Sequence, residues 1–217
     1  MSETFVLAGD REAGIAAAVR ALRAGDLAVL PTDTVYGLAA DAFVPGATAK
    51  VFALKQRPRS LPLPVLVERP KQAWAMTASV PAGAEALASE FWPGPLTLVL
   101  PVAADLEQDL GESRGTVAVR MPANEHALEV IRRAGPLAVT SANITGQPTP
   151  ATVPLIRVRL GEAVAVYLDA GPAEGERGST IVDLSGAVPA LLREGPVGRD
   201  EVERALGGPV RTKPRHA

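Results

Sequence analysis

Short apolar runs along this chain alternate with longer stretches whose apolar positions return every three or four residues, which predicts strands and helices in turn. Asp10 followed by REAGIAAAVRALRAG predicts a capped amphipathic helix ending at Gly25. LAVLP (27–31) predicts a short buried strand feeding a polar loop, PTDTVYGLAAD (31–41). GATAKVFALKQ (46–56) predicts a helix that Pro58 stops, and LPVLV (63–67) a second buried strand. A helix is expected over 81–90, closed by the breaker cluster FWPGP. TLVLP (97–101) and TVAVRMP (116–122) read as strands, and NEHALEVIRRAG (124–135) as a helix that Gly135 ends. PLAVTSAN carries a strand into a turn, and Thr149-Pro150 has the form of an N-cap before a first-turn proline, opening a helix to about Leu160. AVYLDAG, STIVDL and ALLREG are late strands, and 198–206 is a last short helix.

Strands and helices alternate at first and strands then cluster, which predicts a single α/β domain with a twisted mixed sheet and flanking helices. The domain is expected over 1–207, with 208–217 a basic C-terminal tail without order. At 217 residues with 47% apolar and 21% charged side chains, the chain can bury a core without metal or disulfide help. It contains no cysteine, which excludes a disulfide framework and a Cys nucleophile. Its two histidines, His126 and His216, argue against a His-rich metal site, and none is expected. A net charge of −2 gives no broad electrostatic footprint for nucleic acid. The N-terminus lacks the basic and apolar regions of a signal peptide, and no apolar run approaches a bilayer span, so a cytoplasmic protein without membrane contact is expected.

Polar segments stand where apolar runs end. In PTDTVYGLAAD, Thr32 and Thr34 share one side of an extended loop, and with Asp33 and Tyr36 they could hold a small polar ligand; a plain polar turn explains them as well. KQRPR places Lys55, Arg57 and Arg59 within five positions of a chain with four lysines, a compact cluster suited to phosphate oxygens. Strand alternation sets Arg120 opposite Val117, Val119 and Met121, so it must meet a ligand anion, such as a carboxylate, or a structural partner such as Asp41. TSANITGQPTP offers Ser141, Asn143 and Thr149 around a turn, GSTIVD offers Ser179, and LREG offers Arg193. No GxxxxGK[ST] or GxGxxG motif occurs, so any nucleotide must be held by scattered hydroxyls and cations.

The ordered series PTDTVYGLAAD, KQRP, FWPGPLTLVL, VAVRMP, TSANITGQP, GSTIVD and LREG resembles the threonylcarbamoyl-AMP synthase family of the YrdC type over about residues 10 to 200. The resemblance implies an enzyme that joins L-threonine, bicarbonate and ATP into threonylcarbamoyl-adenylate and pyrophosphate, for transfer by tRNA-modification proteins onto tRNA. It implies a positively lined concave groove in the sheet. Carried over by motif, Thr32, Thr34, Tyr36, Arg120 and Ser179 fall on the threonine side. Lys55, Arg57, Arg59, Thr116, Ser141, Asn143, Thr149 and Arg193 fall on the ATP side. Lys55 and Arg57 would be catalytic through charge, and magnesium would arrive with ATP. Many relatives carry Asn and His where this chain reads SLPLPVLV, and long relatives add a C-terminal domain, so the short form is expected with another element shielding the intermediate. Two rival readings share the module: a carbamoyl-adenylate enzyme of the hydrogenase-maturation type, and a double-stranded RNA-binding module in ribosome maturation, for which a locally basic groove would serve.

Overall fold

A computed structural model describes residues 2–212. Strand β1 (Glu3–Val6) leads into helix α1 (Leu7–Arg23), then β2 (Ala28–Leu30), β3 (Gly37–Asp41), α2 (Ala47–Lys55), β4 (Val65–Leu66), α3 (Pro70–Trp74) and α4 (Ala84–Phe91). β5 (Leu96–Pro101), β6 (Thr116–Arg120), α5 (Glu125–Ala134), β7 (Leu137–Ser141) and α6 (Val153–Leu160) follow. β8 (Val166–Asp169), β9 (Thr180–Asp183), β10 (Ala190–Arg193), α7 (Arg199–Leu206) and β11 (Arg211–Thr212) complete the order. Among the described residues the strands form one sheet in the order β1-β8-β2-β3-β7-β4-β6-β5-β9-β10-β11. Pairing is mixed: β3–β7 and β5–β6 run antiparallel, while β4–β6 and β5–β9 run parallel.

Side chains alternate across this sheet, and two apolar layers result. On one face Leu38, Ala138, Val119, Leu98 and Val182 pack with Val51, Leu87, Ile156 and Val202 from α2, α4, α6 and α7. On the other, Ala39, Val139 and Leu168 meet Ile15, Val19, Val130 and Ile131 from α1 and α5. This second cover reaches from Phe5 of β1 to Leu66 of β4 and no further along the sheet. Beyond it the same face carries Thr97, Arg120 and Ile181, and a cleft opens there.

The elements follow local chemistry closely at α5, where the Asn124 side chain accepts from the backbone N–H of His126 and Ala127 and Gly135 ends the helix at φ +100°. Elsewhere the boundaries differ from expectation. α1 starts at Leu7, and Asp10 sits inside it at a kink with φ −114° and ψ 30°, so it is not the cap. α6 starts after Thr152 with a proline in its first turn, one turn later than Thr149-Pro150 predicted. The end of the PTDT segment, GLAAD, is not loop but strand β3, held by pairing on both sides. Strands β1 and β11 and helix α3 were not anticipated. Of the expected tail, residues 211–212 pair with β10 and Val210 is buried in the core, because its apolar side chain covers the α7 end of the sheet; residues 213–217 lie outside the described residues. No described helix is long and apolar enough to cross a membrane.

Candidate functional site

The cleft holds about 120 Å³ on the bare half of the sheet, lined by Thr32, Thr34, Arg57, Thr97, Arg120, Ser141, Ser179 and Arg193, with Leu66, Val139 and Ile181 as apolar wall. β6 carries Arg120 into it from the face opposite Val117 and Val119, as alternation requires. Arg120 Nε donates to the Gly94 carbonyl at 2.9 Å, Nη1 to Thr34 Oγ1 at 3.0 Å and Nη2 to Asp33 Oδ1 at 2.5 Å. Its anionic partner is thus Asp33; Asp41 instead accepts from the backbone N–H of Phe43. Burial lowers the Arg120 pKa and Asp33 opposes that shift. A guanidinium has five N–H donors. Three are committed here, and one remains on each terminal nitrogen.

Gly94 reaches this position through the FWPGP segment, where the Trp92–Pro93 peptide is cis and Gly94 N donates to the Met121 carbonyl at 2.9 Å. A Cβ on Gly94 would run into the Phe91 carbonyl, so only glycine allows the close turn. The sequence marked FWPGP as a helix breaker and as one segment of the family series, without a role in the site; here it sets the guanidinium.

Thr32 and Thr34 lie side by side, Oγ1 to Oγ1 3.0 Å apart, and Thr32 donates to the Val35 carbonyl at 2.6 Å. The loop between β8 and β9 rests on them, with Gly175 N donating to the Thr34 carbonyl at 2.7 Å. Tyr36, expected beside these threonines, points into the opposite core. Its hydroxyl donates to the Gly171 carbonyl at 2.6 Å and accepts from Ala170 N at 3.1 Å, and burial raises its pKa to about 12. Strict alternation would keep Tyr36 on the side of Thr34; the bend over residues 33–35 turns it away from the cleft instead.

Lys55 ends α2, and Gln56 caps that helix in the left-handed region at φ +51°. The Lys55 side chain is 1% exposed and does not line the cleft. Nζ lies under the 141–143 turn, donating to the Ser141 carbonyl at 2.5 Å, the Asn143 carbonyl, and Asn143 Oδ1 at 3.2 Å. Burial, and then the charge of Arg57, push its pKa down to about 7. Asn143 is likewise spent on its own turn: Nδ2 donates to the Ile144 and Gln147 carbonyls at 2.9 and 2.6 Å, and Oδ1 also accepts from Thr149 at 3.3 Å. Lys55, Asn143 and Thr149 therefore shape the turn that brings Ser141 to the cleft wall.

Arg57 lines the cleft while donating to the Leu61 and Pro62 carbonyls at 2.7 and 3.1 Å. Arg59 diverges from it, paired with Asp109 and stacked over the Phe52 ring at 4.9 Å. Across the cleft, Arg193 donates from Nε to the Ser179 carbonyl at 2.8 Å and from Nη2 to Ser179 Oγ at 3.3 Å. Ser179 Oγ lies 2.7 Å from Thr97 Oγ1. Thr97 escaped the sequence reading, although a lone hydroxyl in the buried strand LTLVLP was the available signal. Further along the same strands a second hollow of about 350 Å³ is lined by Ser60, Leu61, Val99, Arg114, Thr116, Ala118 and Asp183. Thr116 faces it, its hydroxyl donating to the Ser113 carbonyl at 2.7 Å.

Among the described residues no group of three His, Asp or Glu side chains is placed to hold a metal ion.

Comparison with known proteins converges on one family. The model described as "Telomere recombination" (Sua5, YciO, YrdC) matches residues 20–195. A Mycobacterium tuberculosis protein, assigned provisionally as a threonylcarbamoyl-AMP synthase, is 49% identical over 95% of this chain and 96% of its own length. The threonylcarbamoyl-AMP synthase of Bacillus subtilis is 36% identical over 89% of this chain, which spans 56% of that relative. The structure of Pyrococcus abyssi Sua5 complexed with L-threonine superposes with a TM-score of 0.87 and 37% identity, over 92% of this chain and 58% of that one.

Proposed function

The chain belongs to the Sua5/YciO/YrdC family, and from that premise we propose that it is an L-threonylcarbamoyladenylate synthase, a nucleotidyltransferase making threonylcarbamoyl-AMP and pyrophosphate from L-threonine, bicarbonate and ATP. The observation that carries this reading is the Arg120 fork, fixed on three sides and holding one N–H on each terminal nitrogen, in a cleft whose walls also bring Arg57 and Arg193. Such a fork suits a carboxylate held by two parallel bonds. The threonine carboxylate would lie on Arg120, with Thr32, Thr34 and Ser179 around the rest of the amino acid. ATP would place its phosphates between Arg57 and Arg193 near Ser141, and its nucleoside along the second hollow beside Thr116. Magnesium would come as the counter-ion of ATP, its ligands drawn mainly from phosphate and water.

The chemistry needs no protein nucleophile. Threonine's ammonium and bicarbonate combine to a carbamate, releasing water and one proton. A carbamate oxygen then attacks the α-phosphorus, and the bond to the bridging oxygen breaks as pyrophosphate leaves. Catalysis rests on placing the two anions together and on neutralising the charge that builds on phosphate oxygens. Arg57 would act directly on the cleft side. Lys55 would act from beneath, holding the 141–143 turn and lending its charge to the same region. Arg59 would have to leave Asp109 to reach a phosphate. Proteins that move the threonylcarbamoyl group onto tRNA would take the product.

The test is mass-spectrometric detection of threonylcarbamoyl-AMP after mixing the pure chain with L-threonine, bicarbonate, magnesium and ATP, alongside threonine-dependent exchange of labelled pyrophosphate into ATP. Both are expected. RNA binding with steep salt dependence and no exchange would overturn the reading in favour of an RNA-binding module. Arg120→Ala is expected to raise the threonine KM at least about tenfold with the ATP KM little changed, the loss of a charge-assisted bond being worth about 1.5–3 kcal/mol.

A further inference from the structure

β5 is apolar on the face that joins the core, through Leu96, Leu98 and Leu100. Its other face opens on the cleft with Thr97, a side chain that lies within the wall at 3% exposure. The β5–β6 register pairs Leu98 with Val119, so the next position sets Thr97 opposite Arg120. On its other side Thr97 pairs with Ile181 of β9. Directly opposed residues on one sheet face have Cβ atoms about 4.5–5.5 Å apart. Thr97 therefore stands beside the strand position from which Arg120 reaches into the same cleft.

The hydrogen-bond inventory of Thr97 and Ser179 is incomplete. Each hydroxyl has one proton and two lone pairs. The 2.7 Å contact between them uses one proton and one lone pair, and Arg193 Nη2 fills one lone pair on Ser179. If Ser179 donates to Thr97, the Thr97 proton and one of its lone pairs remain. If Thr97 donates to Ser179, the Ser179 proton and both Thr97 lone pairs remain. In either arrangement the pair offers a ligand one donor and at least one acceptor. A ligand hydroxyl, which both gives and accepts, completes that set; a methyl group in its place completes neither.

We propose that Thr97, acting as a pair with Ser179, selects the β-hydroxyl of the amino acid whose carboxylate Arg120 holds. The assignment rests on the synthase reading above and names the residue that separates threonine from its isostere valine. Ile181, Leu66 and Val139 supply the apolar wall for the neighbouring methyl group. The division of labour has physical consequences. An apolar wall discriminates one methylene by about 10–200-fold, whereas a site built to bond a hydroxyl rejects the analogue lacking it by about 10⁴–10⁵. Threonine over valine should therefore be the sharper of the two selections, and threonine over serine the weaker.

The experiment is amino-acid-dependent exchange of labelled pyrophosphate into ATP, with bicarbonate, for L-threonine and L-valine on the wild type, Thr97→Val and Thr97→Ser. The wild type is expected to prefer threonine by at least about 10³, as kcat/KM. Thr97→Val, a β-branched isostere suited to a strand, is expected to cut that preference about 100-fold, through the threonine KM, with the ATP KM within about twofold of wild type. Thr97→Ser is expected to restore the preference to within about fivefold of the wild type. A wild-type preference retained in Thr97→Val overturns the assignment alone, as does a matching rise in both KM values, which marks a merely structural role. Absence of threonine-dependent exchange in the wild type overturns the synthase reading and this assignment with it.

Discussion

Lys55 is buried under the 141–143 turn with three oxygen acceptors, and its pKa is pushed from 10.5 down to about 7. The unfolded chain therefore holds a proton that the folded one lacks between about pH 7 and pH 10.5. Over that window stability rises with pH, and below it the cost of burying the charge is felt in full. Phosphate arriving beside Arg57 would favour the charged ammonium again. ATP binding at about pH 8 is accordingly expected to take up a substantial fraction of one proton, read by calorimetry in two buffers of different ionisation enthalpy. Lys55→Met should abolish the uptake. An unchanged uptake in that variant would place the proton elsewhere. The sequence made Lys55 conspicuous, being one of only four lysines, but residue type does not say which way a side chain faces. Thr32, Thr34, Arg57, Arg120, Ser141, Ser179 and Arg193 all line the cleft. Tyr36, Asn143 and Thr149 do not, because each hydroxyl or amide satisfies backbone or side-chain groups of a neighbouring turn.

Elements were most legible where their chemistry is local. The Asn124 cap and Gly135 stop of α5 are written in adjacent residues, and so is the alternation that turns Arg120 away from Val119. β3 was missed because GLAAD lacks β-branched and aromatic residues, and what makes it a strand is pairing with β2 and β7, far apart in sequence. The turn after β10 shows how such long-range contacts build the site. Gly195 N donates to Thr180 Oγ1 at 2.9 Å, and a Cβ on Gly195 would sit 2.5 Å from the Gly178 carbonyl and 2.6 Å from Thr180 N. Gly195→Ala must therefore push β10 away from the start of β9, where Arg193 holds Ser179. It is expected to cost about 1–3 kcal/mol in a denaturation midpoint, as overpacking does, and to lower threonine-dependent exchange at saturating ATP. A variant that loses neither stability nor exchange would show that this turn has room to shift, and that the Arg193–Ser179 contact does not depend on it.

At the scale of the whole molecule the cleft exists because the two sheet faces are covered unequally. Helices α2, α4, α6 and α7 contribute to the core on one face, while α1 and α5 cover the other only from β1 to β4. The strands that continue past that cover bear the same inward positions, but these now line the cleft or the second hollow and carry hydroxyls and a cation, Thr97, Thr116 and Arg120, beside Val99 and Ile181. Sequence periodicity cannot separate a covered position from a bare one, since both lie on one side of a strand; coverage is decided by where helices from other parts of the chain come to rest. Ligands filling the bare half bind only the folded sheet, so they must raise its melting temperature. Each ligand at about 100 times its Kd should add about 2.7 kcal/mol. For a chain of this size that is a rise of about 5–10 °C. The placement of Arg120 makes the expectation directional: Arg120→Ala should erase the threonine-induced rise and leave most of the rise produced by magnesium-ATP alone. Loss of both rises together, in a variant that still melts cooperatively, would mean that Arg120 serves the cleft as a whole and not its amino-acid end.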